Sequence, residues 1–167
     1  MDATPPVPGL SRRHLLGGGL LLAAGYVAAH AVGHRPVGGP AGRALSVGPR
    51  ATLQAALEAQ LPRDAPVAAI TADVDRFLAA GDPVVLGQLD VALLLLEHLG
   101  GAGPIGFRRF TRLDRDARVA VLERWRVAAF GPKRQIAGAV RRIALFSYYS
   151  RPAVWPAIGY DGPLVGR

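Results

Sequence analysis

Gly81-Asp82-Pro83-Val84-Val85-Leu86-Gly87-Gln88-Leu89-Asp90-Val91-Ala92-Leu93-Leu94-Leu95-Leu96-Glu97-His98-Leu99 is the stretch on which the reading of the fold rests. Asp82 is a natural N-cap, because its carboxylate can accept from the unpaired amides of a first helical turn. Pro83 suits the first helical position, where no amide is needed. Leu86, Leu89, Leu93 and Leu96 then recur every three or four residues. Val85, Val91, Leu94 and Leu95 widen that stripe around most of the circumference. A helix so apolar, from Val84 to about Leu99, is expected in the centre of a bundle. His98, in its last turn, reads as a residue favoured by the negative end of the helix dipole.

The flanking sequence has the same period. Between Pro49 and Leu61, residues Leu53, Leu57 and Leu61 fall four apart, and Pro62 ends the run. Pro66 opens a second helix, Val67 to Ala80, with Ile70, Val74, Phe77 and Leu78 on one side. Asp73 and Asp75 fall on different faces of it, so they do not form a carboxylate pair. Gly100 to Gly106 is a break. Asp114 is the N-cap candidate of a fourth helix reaching Phe130, with Asp116 near its positive end. Val119, Leu122, Trp125 or Arg126, and Ala129 are expected on its apolar face, and Gly131-Pro132 stops it. A fifth helix, Lys133 to Tyr149, carries Ile136, Val140, Ile143 and Leu145 or Phe146. The tail from Trp155 to Leu164 is aromatic but broken by Gly and Pro. It is expected as a non-helical strap over an apolar surface, with Gly162 at a positive φ and Asp161 bonding turn amides. No strand alternation or repeat stands out. The expected fold class is all-α: a small bundle of about five helices with an irregular aromatic C-terminal strap, preceded by a signal helix.

Composition narrows the chemistry. The chain has 167 residues, half of them hydrophobic, which suits one domain with a presequence. Its net charge is +8, and of twenty basic residues only Lys133 is Lys, a bias that points to a GC-rich genome. There is no Cys, which excludes disulfides, thiolate catalysis, Cys-held iron–sulfur clusters and covalent haem. The four His, at positions 14, 30, 34 and 98, have no metal-ligand spacing. No catalytic constellation is found, so catalytic, cofactor-binding and metal residues are expected to be none in this chain.

The N-terminal segment has the order of an export signal. Ser11-Arg12-Arg13-His14-Leu15-Leu16 opens an uncharged run to Val32, and Ala29-His30-Ala31 has the small-x-small form a signal peptidase reads. The paired Arg followed by Leu15 and Leu16 point to the twin-arginine route, which carries folded proteins, and so to the twin-arginine translocase as a partner. The expected organisation is a twin-arginine signal peptide over residues 1–31, cleaved after Ala31, a flexible Gly/Pro linker over 32–48, and a helical domain over 49–167. The competing reading is an uncleaved anchor, since the run is near the roughly 17 residues that span a bilayer. Either way the protein is expected outside the cytoplasm, periplasmic or extracytoplasmic, with membrane contact only through the signal segment.

Arg108 to Arg151 holds twelve basic residues against Asp114, Asp116 and Glu123. Three readings stand: a nucleic-acid or lipid face, a solvated Arg-rich surface, or contact with an acidic partner. An exported protein rarely meets nucleic acid, so no nucleic-acid partner is expected. Tyr148, Tyr149, Trp155 and Tyr160 could line a sugar or quinone site, but such aromatics more often pack a core or anchor a protein interface.

Phe107 to Phe110, Leu113 to Arg124 with Trp125, Ile143 to Tyr149, Pro152, Trp155 and Gly159-Tyr160-Asp161-Gly162-Pro163 carry a resemblance. So do Leu61-Pro62, Val74-Asp75, Leu78 and the helix after Asp82. Over most of Ala51 to Leu164 the chain resembles the gluconate 2-dehydrogenase subunit 3 family, small subunits of periplasmic flavin dehydrogenases. Its most specific piece is Tyr148-Tyr149, Trp155 and the Gly159–Pro163 block. The resemblance implies a non-catalytic accessory subunit that escorts a FAD-dependent flavoprotein of the glucose–methanol–choline (GMC) type through twin-arginine export and stays bound. It implies FAD in the partner, often with a cytochrome subunit. It places the partner interface at Tyr148, Tyr149, Trp155, Gly159, Tyr160, Asp161, Gly162 and Pro163. The alternative is a stand-alone exported interaction domain, or one tethered to the membrane by an uncleaved signal.

Overall fold

Among the described residues five α-helices form a bundle: α1 Val47–Gln60, α2 Val67–Ala79, α3 Pro83–Leu99, α4 Arg115–Arg126 and α5 Gly131–Tyr149. The computed structural model describes residues 42–103 and 106–162; side chains are not described for 102–107. The export residues Ser11, Arg12, Arg13, Leu15 and Leu16, the cleavage residues Ala29 and Ala31, and Pro163 lie outside the described residues. The all-α class holds, with two additions. Gly101–Gly103 (β1) pairs antiparallel with Gly106–Arg108 (β2), Ala102 opposite Phe107, inside the stretch expected as a plain break. Gly101 is required there, because a Cβ would run into the Arg108 carbonyl oxygen. Short 3-10 helices span Phe110–Arg112 and Pro152–Ile158.

The local signals explain the helix ends. The Asp82 carboxylate accepts from the Val84 amide at 2.7 Å, and Asp114 accepts from Ala117 at 2.8 Å. These are the expected N-caps, each worth about 1 kcal/mol. Pro62 forces Leu61 to extended backbone and so ends α1. α4 stops at Arg126, short of the expected Phe130. Beyond it the Ala128 and Ala129 carbonyls accept from the Arg134 guanidinium at 2.5 and 2.6 Å instead of continuing the helical ladder.

The centre of the bundle is α1, not α3 as expected. Ala51, Ala55, Ala56 and Ala59 are buried on one part of its surface, and Leu53 and Leu57, with Leu61 just beyond, on another. Small Ala side chains let neighbours approach closely on several sides, which a helix of Leu and Val does not. Ala55, Ala56 and Ala59 pack with Leu96, Phe110, Leu122, Trp125 and Val140. Leu53, Leu57 and Leu61 pack with Ile70, Val74, Leu89, Leu93 and Ala144. Each such Leu contributes roughly 1.5–3 kcal/mol by leaving water. α3 lies at the side of this core. Leu89, Leu93 and Leu96 are buried, but Val84, Val85, Val91, Leu95 and Leu99 face outward.

Two buried polar clusters lock the chain. Glu97, fully buried on α3, accepts from the Thr111 amide at 3.0 Å and hydroxyl at 2.8 Å, and from the Thr52 hydroxyl at 3.4 Å. Arg118 pairs with Glu58 at 2.8 Å and donates to the Thr111 carbonyl at 3.0 Å. Together they pin the first 3-10 helix against α1, α3 and α4. At the other end, the Asp75 carboxylate accepts from the amides of Arg43, Ala44 and Leu45 at 2.5, 3.2 and 2.8 Å, with Arg50 3.7 Å away. Residues 42–46 were expected within a flexible linker. The structure ties them to α2 through Asp75 and buries Leu45.

The tail corrects a further expectation. Trp155 to Ile158 are helical after all, as the end of a 3-10 helix. Pro152 starts it and Pro156 keeps a compatible φ, while Gly159, at φ 66°, ends it. The tail folds against the end of α5 rather than over the core. The Trp155 indole N–H donates to the Tyr149 carbonyl at 2.9 Å, and Ile158 and Tyr160 remain about half exposed.

Candidate functional site

α2, α3 and α5 diverge enough to leave a groove of about 920 Å³, closed at one end by Arg151, Pro152 and Ala153. Its floor is Val74, Leu89, Ala92, Ile136 and Ile143. Phe77 and Phe146 stand on its lips, 72% and 69% exposed. Phe77 was expected on the inward face of its helix, and Phe146 was one of two alternatives, with Leu145, for that of α5. Periodicity placed them on an apolar side, but that side is wider than the surface its neighbours cover.

The apolar surface continues past the groove. Val85 and Gln88 on α3 lead to Val84 and Val91, 65% and 56% exposed, and then to Leu95. Among the residues of this outward half of α3, from Val84 through Gln88, Val91 and Leu95 to Leu99, there is no formal charge. Gly87 beside them faces open space. A helix with its watered side uncharged has no solvated face. The charges lie at the groove's edge. Asp73 takes Arg151 at 2.6 Å and Arg76 at 3.0 Å, and exposed Arg142 follows Ala139 by three residues and precedes Phe146 by four.

The residues expected at a partner interface divide between two places. Tyr148 is half-buried and packs beside the core cluster of Leu53 and Leu57. Tyr149, Trp155, Gly159, Tyr160, Asp161 and Gly162 gather where the tail meets α5. The Trp155 and Tyr160 rings meet edge to face at 5.2 Å, and Tyr148 and Tyr149 at 5.3 Å. Gly162, at φ 100°, lies so near Trp155 that a Cβ would be 3.2 Å from the ring. This cluster adjoins the Pro152–Ala153 end of the groove.

The Arg-rich stretch is largely consumed by the fold. Arg115 donates to the Leu61 carbonyl at 2.5 Å, where α1 ends, and Arg124 to Gly100 at 3.4 Å. Arg118, Arg134 and Arg151 are engaged as described, Arg126 pairs with Glu123, and Lys133 lies over the Trp125 ring at 5.4 Å. What the sequence did not reveal is the pairing itself, because a guanidinium's partner carbonyl is set by tertiary approach and leaves no pattern.

Among titratable groups, Asp75 is distinctive. Burial pushes its pKa up, but the amides of Arg43, Leu45 and Ala44 and the nearby Arg50 charge outweigh that and hold it below the usual carboxylate value. Its role is to hold backbone. Among the described residues no group of three His, Asp or Glu side chains converges to hold a metal, and no helix is long and apolar enough to cross a membrane. No known protein family, curated protein or solved structure matches this chain.

Proposed function

We propose that this chain is a non-catalytic small subunit that binds a FAD-dependent flavoprotein of the GMC type, escorts it through twin-arginine export and remains in the complex. The observation that carries the reading is the uncharged outward half of α3 joined to the groove between α2, α3 and α5. Phe77, Val84, Val85, Val91, Leu95, Leu99 and Phe146 leave on the order of 600 Å² of apolar surface in water, taking about 150–250 Å² for a whole large side chain. That is at the upper end of the largest apolar patch on a typical soluble monomer, roughly 300–600 Å², a size that is often functional. It approaches the roughly 800 Å² each partner contributes to a standard protein interface. Two sequence features support the rest: the Ser11–Leu16 motif, and the resemblance of the Tyr148–Pro163 block to small subunits of flavin dehydrogenases. A folded-protein export route also suits a partner that must bind FAD before it crosses, more than it suits a small Cys-free helical chain.

The experiment is to identify a FAD-loaded flavoprotein that co-purifies with the wild-type chain, then replace Arg12 and Arg13 by Lys and follow that flavoprotein. The expected result is retention of FAD-loaded partner in the cytoplasm. Unchanged export of that partner overturns the escort reading. The same apolar surface weighs against a stand-alone domain, which would be expected to cover it.

A further inference from the structure

We propose that the groove between α2, α3 and α5 receives an apolar helix of the partner subunit whose flanks are acidic; this rests on the accessory-subunit reading and names what the partner must present. A small molecule does not fit the observations. The groove's volume, about 920 Å³, would accommodate one, yet Phe77 and Phe146 stand mostly in solvent on its lips, and the apolar surface runs on across Val84, Val91 and Leu95. A compact ligand on the floor would leave those side chains wet. An object about as long as α3, roughly 25 Å for its length at 1.5 Å per residue, would cover them.

The walls decide the conformation of that object. All three are helices whose backbone groups are already bonded within themselves. An added β-strand needs a free sheet edge to meet its amides, and none faces the groove. A helix brings its own backbone bonds and packs side-chain ridges into the groove. The rim decides its charge. Asp73 and Arg151 line the groove and pair at its edge, Arg76 pairs with the same Asp73 from α2, and exposed Arg142 lies within one helical turn of the lining residues Ala139 and Phe146, so three guanidinium groups stand about one carboxylate. The rim therefore carries excess positive charge around an uncharged floor. It favours a helix with Glu or Asp beside its apolar stripe and disfavours the commoner Lys- and Arg-flanked kind.

The test uses the purified full chain and two synthetic helical peptides of about 18 residues, long enough to hold helix in part. Both carry Leu at i, i+4, i+7 and i+11. One is flanked by Glu and the other by Lys at the same positions. Fluorescence anisotropy is expected to show the Glu peptide binding about tenfold more tightly than the Lys peptide, as two or three partly exposed ion pairs would give. The difference should collapse in about 1 M salt. The Phe77→Asp/Phe146→Asp variant should lose the Glu peptide while keeping wild-type helicity, since both rings are exposed, and Phe146→Leu should keep it. Arg76→Glu/Arg142→Glu should reverse the preference. Equal binding of the two peptides, no binding of either, or binding indifferent to Phe77→Asp/Phe146→Asp overturns the proposal. So does self-association of the chain abolished by that variant, which would assign the groove to a second copy. Co-export of the flavoprotein is measured separately: if it depends on Arg12 and Arg13 while neither peptide binds, the groove assignment falls and the escort reading stands.

Discussion

Replacing Asp75 by Ala removes the shared acceptor of three backbone amides and the counter-charge of a buried guanidinium. The Arg43 and Ala44 amides lie near the surface and can turn to water. The Leu45 amide and Arg50 cannot do so without unpacking, because Leu45 and Arg50 are both about 4% exposed. Stranding one buried amide and one buried charge costs about 3–5 kcal/mol. For a domain of ordinary stability, roughly 5–15 kcal/mol, that is a large fraction. Asp75→Asn keeps one oxygen acceptor and loses the charge, so it should cost less, about 1–3 kcal/mol. Urea unfolding followed by far-UV circular dichroism measures both variants. Amide hydrogen exchange at positions 43–45 tests whether this segment opens before the bundle. The pH dependence supplies a second arm. The folded-state pKa of Asp75 lies below its ordinary 3.8. Its contribution is therefore complete above the unfolded value and is lost as pH falls through the folded one. Wild-type stability should decline over that acid range more steeply than that of Asp75→Asn. A loss below about 0.5 kcal/mol in Asp75→Ala, the scatter of ordinary surface substitutions, or identical acid slopes, would refute the anchoring argument.

Two further outcomes separate covered from uncovered apolar residues and test the tail. Leu57→Ala should cost about 2–5 kcal/mol in denaturant unfolding, because the cavity opens inside the core, whereas Leu95→Ala on the outward side of α3 should change stability by far less, about 1 kcal/mol or under. Gly162→Ala combines a φ of 100° with a Cβ 3.2 Å from the Trp155 ring; it should loosen the tail by about 1–2 kcal/mol, seen as increased protease cleavage after Trp155 with unchanged helicity of the bundle.

Much of the architecture could be read without coordinates. Asp82-Pro83 and Asp114 announced two helix starts, and the structure shows both carboxylates capping. Leu53, Leu57 and Leu61 announced one of the two buried sides of α1. Asp73 and Asp75 were rightly separated, one half-exposed at the groove's edge and one buried. The errors about which apolar residues are buried have one origin. Phe77, Phe146 and the outer residues of α3 are apolar at helical spacing, and spacing cannot say whether a neighbour covers them. The most hydrophobic helix was therefore expected at the centre, while the centre went to α1, whose Ala residues allow close approach. Glu97, Thr111, Arg118 and Asp75 went unnoticed because a buried polar residue looks like a surface one until its partners arrive from distant parts of the chain.

Local physics, then, decided the helices, their caps and their breaks at Pro and Gly, since each depends on residues within a turn or two of one another. Tertiary structure alone decided which helix lies inside, that Asp75 ties down the segment before α1, and that α2, α3 and α5 leave an apolar groove bordered by arginines. Those outcomes depend on how much surface each neighbour can cover and on which charges meet across long sequence separations, as Arg151 and Asp73 do at a separation of 78 residues. The Gly81–Leu99 stretch shows both halves: its composition made the helix, and the packing of the others left half of it facing water.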